Sequence, residues 1–363
     1  MGSIVAKRVG IQDIAREANV SITTVSHALN GKGRLSPEIR ERVRLVAERL
    51  GYRANPQARG LATGRTMTLA VQVGSPQAEV LMPDFRYFAE LLNAASARAL
   101  KLGYGLLLAP AGASPELIGE LAIDGAIIVD PTGEEALLER TDVPRVTTGR
   151  APGDADDVAW VDNDQRAGAR MVLDHFARTG RSRPALLTTS GRQSYVEDAV
   201  AEYLDWCREH DFEPLVGRVG EVPTEAAATP AAAGLLSRRP RPDAIYATLD
   251  RMAVGALIAC RSAGLSVPED LAVAAITDTY VLRSADPPVT ALDLNAPRIG
   301  REAVELLVGL VEGEEPSRAV TVPSRLVKRT STQGTGPTTT GPKSARVKAF
   351  EQRPMSSQER PPA

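Results

Sequence analysis

The eight residues "ITTVSHAL" at 22–29 place Thr23, Thr24, Ser26 and His27 beside Ile22. At helical spacing Val25, Ala28 and Leu29 share an inner face, which leaves those four polar side chains on the outer one. All four donate or accept hydrogen bonds, and none suits a core. That chemistry fits base edges. Hydroxyls pair with bases or phosphates, an imidazole N–H reaches N7 or O6 of guanine, and Ile22 or a threonine methyl meets the thymine methyl. Ser21 is placed to cap this helix. The preceding "NVS" makes a tight turn after a first helix with Ile11, Ile14, Ala15 and Ala18 at i, i+3, i+4, i+7. Helix, tight turn and outward-reading helix form the helix-turn-helix arrangement, whose second helix enters the major groove. A three-helix packing domain with a polar outer face has the same pattern.

The elements around this stretch support it. Ser36-Pro37 starts a third helix with Ile39, Val43, Val46, Ala47 and Leu50 inside, and Gly51 ends it. Residues 1–65 hold 12 Lys/Arg against 5 Asp/Glu, residues 66–330 hold 26 against 38, and residues 331–363 hold 5 against 2. A basic head on an acidic body suits a polyanionic partner, although a solvated helix surface is charged in the same way. In the linker "YRANPQARGLATGRT", Asn55 can cap and Pro56 can open a very short helix with Ala58 and Leu61 on one face. So short a helix is marginal alone and needs outside support. A dimer mate and a minor groove would give it, with Leu61 as an apolar wedge between base pairs. Packing of Leu61 on the body is the alternative.

From residue 67 the pattern becomes strand and helix in alternation. "MTLAVQV", "YGLLLAP", "DGAIIVD" and "VPRVTTG" read as strands, "FRYFAELLNAASARALKLG", "PELIGELA" and "EEALLER" as helices. A second series follows "VAWVDND", so two doubly wound lobes with a cleft between them are expected. At 363 residues the chain exceeds one typical core. The tail 331–363, rich in Pro, Thr, Ser and Gly, reads as disordered. No run reaches the roughly 18 apolar residues of a membrane span, and the amino terminus has no signal-peptide pattern, so a cytoplasmic protein with no membrane attachment is expected. Cys207 and Cys260 lack metal-ligand spacing and read as free thiols.

An enzyme finds no support. His27, His175 and His210 lie in separate helices, and no G-x-S-x-G elbow, Walker loop or H-E-x-x-H appears. No cofactor and no metal is expected. A free-standing solute-binding protein would share the body, but not the basic head.

The runs "IQDIAREANVSITTVSHALNG" and "LSPEIRERVRLVAERLGYRANPQARGLATGRT" closely resemble the head of the lactose-repressor (LacI/GalR) family of transcription regulators. The body markers "WVDND", "DAIYATLDRMAVGAL", "AGLSVPEDLAV", "DPPVTALDLNAPRIGREAVELL" and "PSRLVKR" follow the same family's order. The resemblance implies an all-α helix-turn-helix head on an α/β body of two doubly wound lobes, like a type I periplasmic binding protein. It implies a DNA-binding domain at 1–53, a hinge helix and linker at 54–66, and an effector-binding and dimerisation body at 67–330. The N-lobe would be 67–163 and 291–318, the C-lobe 164–288 and 319–330. By position, Ile22, Thr23 and His27 match base-reading residues. Ser21, Thr24, Ser26 and Asn30 match backbone-contacting or supporting ones, and Asn55, Ala58 and Leu61 match the hinge helix. His27 stands where many members have Arg, Gly10 replaces a Thr cap, and Ala54 replaces a Pro.

The implied function is repression from a near-palindromic operator in double-stranded DNA. The protein would act as a homodimer or tetramer, with affinity modulated by a small molecule in the interlobe cleft. The family's sugar-reading residues are largely replaced. Leu249-Asp250 stands for Asn-Asp, Thr277 for a ligand-binding Asp, and Ala199 for an Arg. Arg192, Gln193, Ser194 and Tyr195, at a strand end, offer another set, facing Phe85, Tyr87, Arg150 and Asp162, with Asp250 and Thr277 on the C-lobe side. Each also reads as an ordinary loop residue. The expected effector is therefore not a simple neutral hexose, or the protein is an orphan repressor with no effector.

Overall fold

The computed structural model describes residues 9–29, 33–52, 64–74, 86–153, 158–220 and 223–334. Asn30, Asn55, Ala58, Leu61 and Phe85 lie outside them, as do most of the expected hinge and the tail from 335 onward.

The head holds α1 (Ile11–Ala18), α2 (Ile22–Leu29) and α3 (Pro37–Arg49). Ile14, Ala15, Ala18, Val25, Val43, Val46 and Ala47 form its core. Leu29, expected inside, is instead exposed at the last position of α2. Asn19, in the left-handed region at φ 52°, ends α1 and makes the turn into α2. Ser36 caps α3 by accepting from the Ile39 N–H. Gly10 has no side chain to cap α1, but its N–H donates to the Asp13 carboxylate at 3.0 Å. Half of a capping box therefore survives the missing threonine.

The body has two six-stranded sheets. The first contains β1 (Thr68–Val73), β2 (Gly105–Ala109), β3 (Gly125–Val129), β4 (Arg145–Thr148), β5 (Ala159–Asn163) and β11 (Ala319–Val322), ordered β11-β5-β4-β3-β1-β2 and all parallel. The second contains β6 (Pro184–Thr189), β7 (Val216–Val219), β8 (Ala244–Ala247), β9 (Ala272–Ala275), β10 (Thr290–Asp293) and β12 (Arg325–Val327), ordered β12-β10-β9-β8-β6-β7. Only β12 runs antiparallel. Helices α4 (Arg86–Leu102) and α11 (Ala296–Glu312) pack on the first sheet, with α5 (Pro115–Gly119) beyond β2. Helices α6 (Gln165–Arg178), α7 (Ser194–Glu209), α8 (Glu225–Leu236) and α9 (Asp250–Ser262) cover the second, with α10 (Tyr280–Arg283) after β9.

Three expectations need correction. First, the lobe limits shift: β10 at 290–293 pairs with β9 and belongs to the second lobe, whereas β11 at 319–322 pairs with β5 and belongs to the first. The chain therefore crosses after Asn163, after Asp293 and after Val322. Second, "EEALLER" is not a helix. The Glu135 carboxylate accepts from the Thr132 N–H (2.8 Å), the Thr132 hydroxyl (2.6 Å) and the Gly133 N–H (3.0 Å), and Gln72 Oε1 accepts from the Leu137 N–H. Those bonds hold a turn that buries Ala136 and Leu137. Third, the tail does not begin at 331. Thr330–Thr332 form a 3-10 turn, the Ser331 hydroxyl donates to Val273 O (2.6 Å), and Thr332 Oγ1 lies 2.8 Å from His175 Nε2.

Candidate DNA-reading and effector sites

On the head, Ser21, Ile22 and Thr23 are exposed, while Thr24, Ser26 and His27 are half-buried. The Ser21 hydroxyl accepts from the Thr24 N–H at 3.0 Å and lies 2.8 Å from Thr24 Oγ1. These two hydroxyls thus fix the start of α2 and leave Ile22 (48% exposed) and Thr23 exposed in its first turn. His27 is packed by the loop that enters α3. Gly33 has φ +71°, a Cβ there would lie 2.7 Å from His27 Nδ1, and its carbonyl accepts from Arg40 Nη2 at 2.7 Å. One edge of the imidazole is therefore braced by backbone.

In the body, polar side chains converge where the C-terminal strand ends of the two lobes meet. From the first lobe come Asp130 after β3, Arg150 after β4 and Asp162 in β5; from the second come Ser194, Tyr195 and Asp198 in the first turns of α7. The Ser194 hydroxyl donates to Asp162 Oδ2 at 3.3 Å and accepts from the Arg150 N–H at 3.1 Å. Arg150 Nη2 donates to Asp198 Oδ2 at 2.7 Å. A Cβ on Gly149 would sit 3.2 Å from Ser194 Oγ and 3.4 Å from Asp130 Oδ1, so these groups share one space.

The electrostatics follow from burial. Asp130 is pushed up to about 8, by burial first and by the nearby Asp162 second. Burial also raises Asp162, to about 6, against the Asn163 N–H, the Gln165 amide and Arg150, which hold it down. The phenols of Tyr87 and Tyr195 are raised by burial and then by Asp130, with Asp162 also acting on Tyr87. Tyr87 packs against the cores of both lobes. A buried acid pair lined by two tyrosines favours a partner that brings hydrogen-bond donors or positive charge.

The structure therefore brings Tyr87, Arg150, Asp162, Ser194 and Tyr195 together. Arg192 is exposed and, among the described residues, has no bond to this group. Asp250 starts α9 and accepts from the Arg251 N–H at 2.7 Å, and burial raises its pKa. Thr277 is half-buried after β9. No bond links either of them to Asp162 among the described residues. Ala199, which stands where the family has an Arg, is fully buried in the second lobe's core, and its neighbour Asp198 meets Arg150. Asp130 and Asp198 were not among the expected site residues. Asp130 was signalled by the acid closing the apolar run "GAIIVD", as in "AWVDND"; Asp198 was signalled only by lying one helical turn after Ser194.

A helix-turn-helix head on a two-lobe α/β body defines a DNA-binding regulator of transcription. Comparison with known proteins agrees. Residues 10–55 match the model of bacterial regulatory proteins of the lacI family, and residues 173–332 match a periplasmic binding protein-like domain. The HTH-type transcriptional regulator CelR of Thermobifida fusca is 32% identical over 332 residues, covering 86% of this chain and 96% of that one. Catabolite control protein A of Staphylococcus xylosus is 28% identical over 343 residues, covering 90% and 99%. A solved complex of CelR with cellobiose superposes with a TM-score of 0.67 at 26% identity, covering 89% of this chain and 100% of that one. The chain belongs to the LacI family of bacterial regulatory proteins.

Proposed function

We propose that this protein is a homodimeric repressor that holds a near-palindromic operator through two heads and loosens when a small molecule enters the interlobe cleft. In this reading Ile22, Thr23 and His27 face base edges, and Ser21, Thr24, Ser26 and Asn30 support them or meet phosphates. Asn55, Ala58 and Leu61 form a hinge helix in the minor groove. The observation that carries it is the braced outer face of α2, where Ser21 and Thr24 bond each other and present Ile22 and Thr23 outward.

A dimer is supported by the β2 edge of the first sheet, on which no other strand pairs among the described residues. Its edge strand β2 presents Leu107 and Leu108, the latter 51% exposed, with Leu100 of α4 (66%) and Leu117 of α5 (64%) also exposed. Such apolar residues on a strand edge are a liability that a second copy would cover. For the effector, the clasp of Arg150 with Asp198 and of Ser194 with Asp162 bridges the lobes. A ligand has to displace or extend it, and the replacement of the family's sugar-reading residues points away from a simple neutral hexose. The same clasp supports a second reading, an orphan repressor whose cleft is satisfied by its own side chains.

Selection of genomic DNA fragments by the full-length protein, with and without metabolite pools, tests both. A recurrent two-fold site released by a pool supports the first reading, and a site that no pool releases supports the second. Absence of any preferred sequence would refute both.

A further inference from the structure

The second sheet has another end, opposite the cleft, with different chemistry. Arg183 precedes β6, Arg241, Pro242 and Asp243 precede β8, Asp270 precedes β9, and Arg239 follows α8; together they line a cavity of about 280 Å³. Close by is Arg181, only 1% exposed. It donates to the carbonyls of Pro268 and Glu269, and its Nε has no partner among the described residues.

The carboxylates here are already committed. Asp243 accepts from the Ser182 N–H (2.9 Å), the Ser182 hydroxyl (3.3 Å) and the Arg183 N–H (2.9 Å). Asp270 accepts from the Ser266 N–H at 2.9 Å. Both, with Glu269, also oppose the buried charge of Arg181. The arginines are not used up in the same way. Arg183 gives Nε to Arg241 O at 3.1 Å and forms only a long ion pair with Asp243, at 3.8 Å. Arg239 gives only Nη1, to the carbonyls of Ser237 and Arg238. The Arg241 guanidinium makes no hydrogen bond among the described residues. Unspent, forked N–H donors in a concavity suit the oxygens of a phosphate.

We propose that this cavity binds the phosphate group of a small phosphorylated molecule. It lies near the small end of the ~300–1,000 Å³ typical of ligand pockets, so it takes a phosphate with a short body rather than a stretch of duplex. The site is separate from the cleft, because it sits at the N-terminal ends of the strands whose C-terminal ends form the cleft. It does not rest on the identity or existence of a cleft effector.

Calorimetry of the full-length protein tests this, with inorganic phosphate titrated against sodium chloride at matched ionic strength. The expected result is a saturable heat with one site per chain. Arg239→Gln/Arg241→Gln should weaken it at least tenfold, and Arg239→Gln alone less so but in the same direction. Arg301→Gln, an exposed arginine on α11, and Asp162→Asn in the cleft should leave it unchanged. No saturable heat in the parent protein would overturn the proposal. So would equal losses in Arg301→Gln, loss in Asp162→Asn, or displacement of phosphate by a non-operator duplex.

Discussion

Asn163 sits at the first crossing between lobes and touches the other two. Its Nδ2 donates to Leu294 O at 3.1 Å, just after β10, and to Val322 O at 2.7 Å, at the end of β11. One amide thus staples all three crossing strands, in a place where its residue is 2% exposed. Asn163→Ala removes both bonds and leaves two main-chain acceptors facing a small void. A buried acceptor without its donor costs about 1–3 kcal/mol, so two should cost about 2–4 kcal/mol once some relaxation is allowed. The clasp of Arg150 with Asp198 also joins the lobes, but Arg150 is 42% exposed and its pair is screened. Arg150→Ala should therefore cost no more than about 1 kcal/mol. Urea unfolding separates the two cases, and each lobe carries its own reporter: Trp160 lies in β5 and Trp206 in α7. The staple predicts a large fall in midpoint for Asn163→Ala and separation of fluorescence from circular dichroism as the lobes lose their tie. Asn163→Asp should be as damaging, because a carboxylate there faces two carbonyl oxygens and can donate to one only after taking up a proton. If Asn163→Ala stays within about 0.5 kcal/mol of the parent, or costs no more than Arg150→Ala, the staple has no energetic weight.

Four further outcomes follow from the same reasoning. Leu61→Ala should weaken operator binding more than binding to random duplex, because it removes an apolar wedge and no charge; equal losses in a gel-shift competition would contradict that role. His27→Ala should relax one operator position by about 1–3 kcal/mol, visible as a single flattened column in a selected-sequence profile. Leu108→Asp on the β2 edge should shift the protein toward monomer in sedimentation equilibrium while leaving its circular dichroism unchanged. Asp130 holds its proton up to about pH 8 in the folded state, whereas an unfolded carboxyl loses it near the ordinary Asp value. Its contribution to stability is complete below that ordinary value and is lost as pH rises toward 8. Asp130→Asn should therefore flatten the fall in urea midpoint between pH 5 and pH 8, and an unchanged slope would show that Asp130 is not held protonated.

The sequence made the head legible because three short helices must share one core, and their periodicity names it: Ile14, Val25 and Val43 are all fully buried. Strand and helix alternation was equally plain in the body. What local pattern could not reveal was which sheet a strand joins. The runs at 290–293 and 319–322 flank α11, and each reads simply as a short apolar strand. Their partners, β9 and β5, are chosen by tertiary packing, and the lobe limits that the family resemblance implied put each run in the wrong lobe. The "EEALLER" segment misled for a related reason. Its helical composition lost to a carboxylate that accepts three bonds from the preceding turn. The cleft was half legible: acids and hydroxyls at strand ends could be named, but the pairing of Arg150 with Asp198, 48 residues apart in sequence, could not.

The lobe exchange also shows how the cleft and the head are joined. Because β10 belongs to the second lobe, α11 begins directly at a crossing, at Asn295 in the left-handed region, and then runs down the first lobe. Its 17 residues span about 25 Å at 1.5 Å each. At its far end, Arg65, the last part of the linker from the head, donates to Val311 O at 2.7 Å and stands 3.9 Å from Glu312. Arg65 Nη1 also donates to the Tyr104 hydroxyl, and the Asp124 carboxylate accepts from the Thr66 and Met67 N–H groups. The linker is thus fixed to the foot of a helix whose top lies within one residue of the Asn163 staple. A rigid helix has little way to absorb a rotation between the lobes except by moving its ends, and one of those ends holds the segment that leads to the DNA-reading helices.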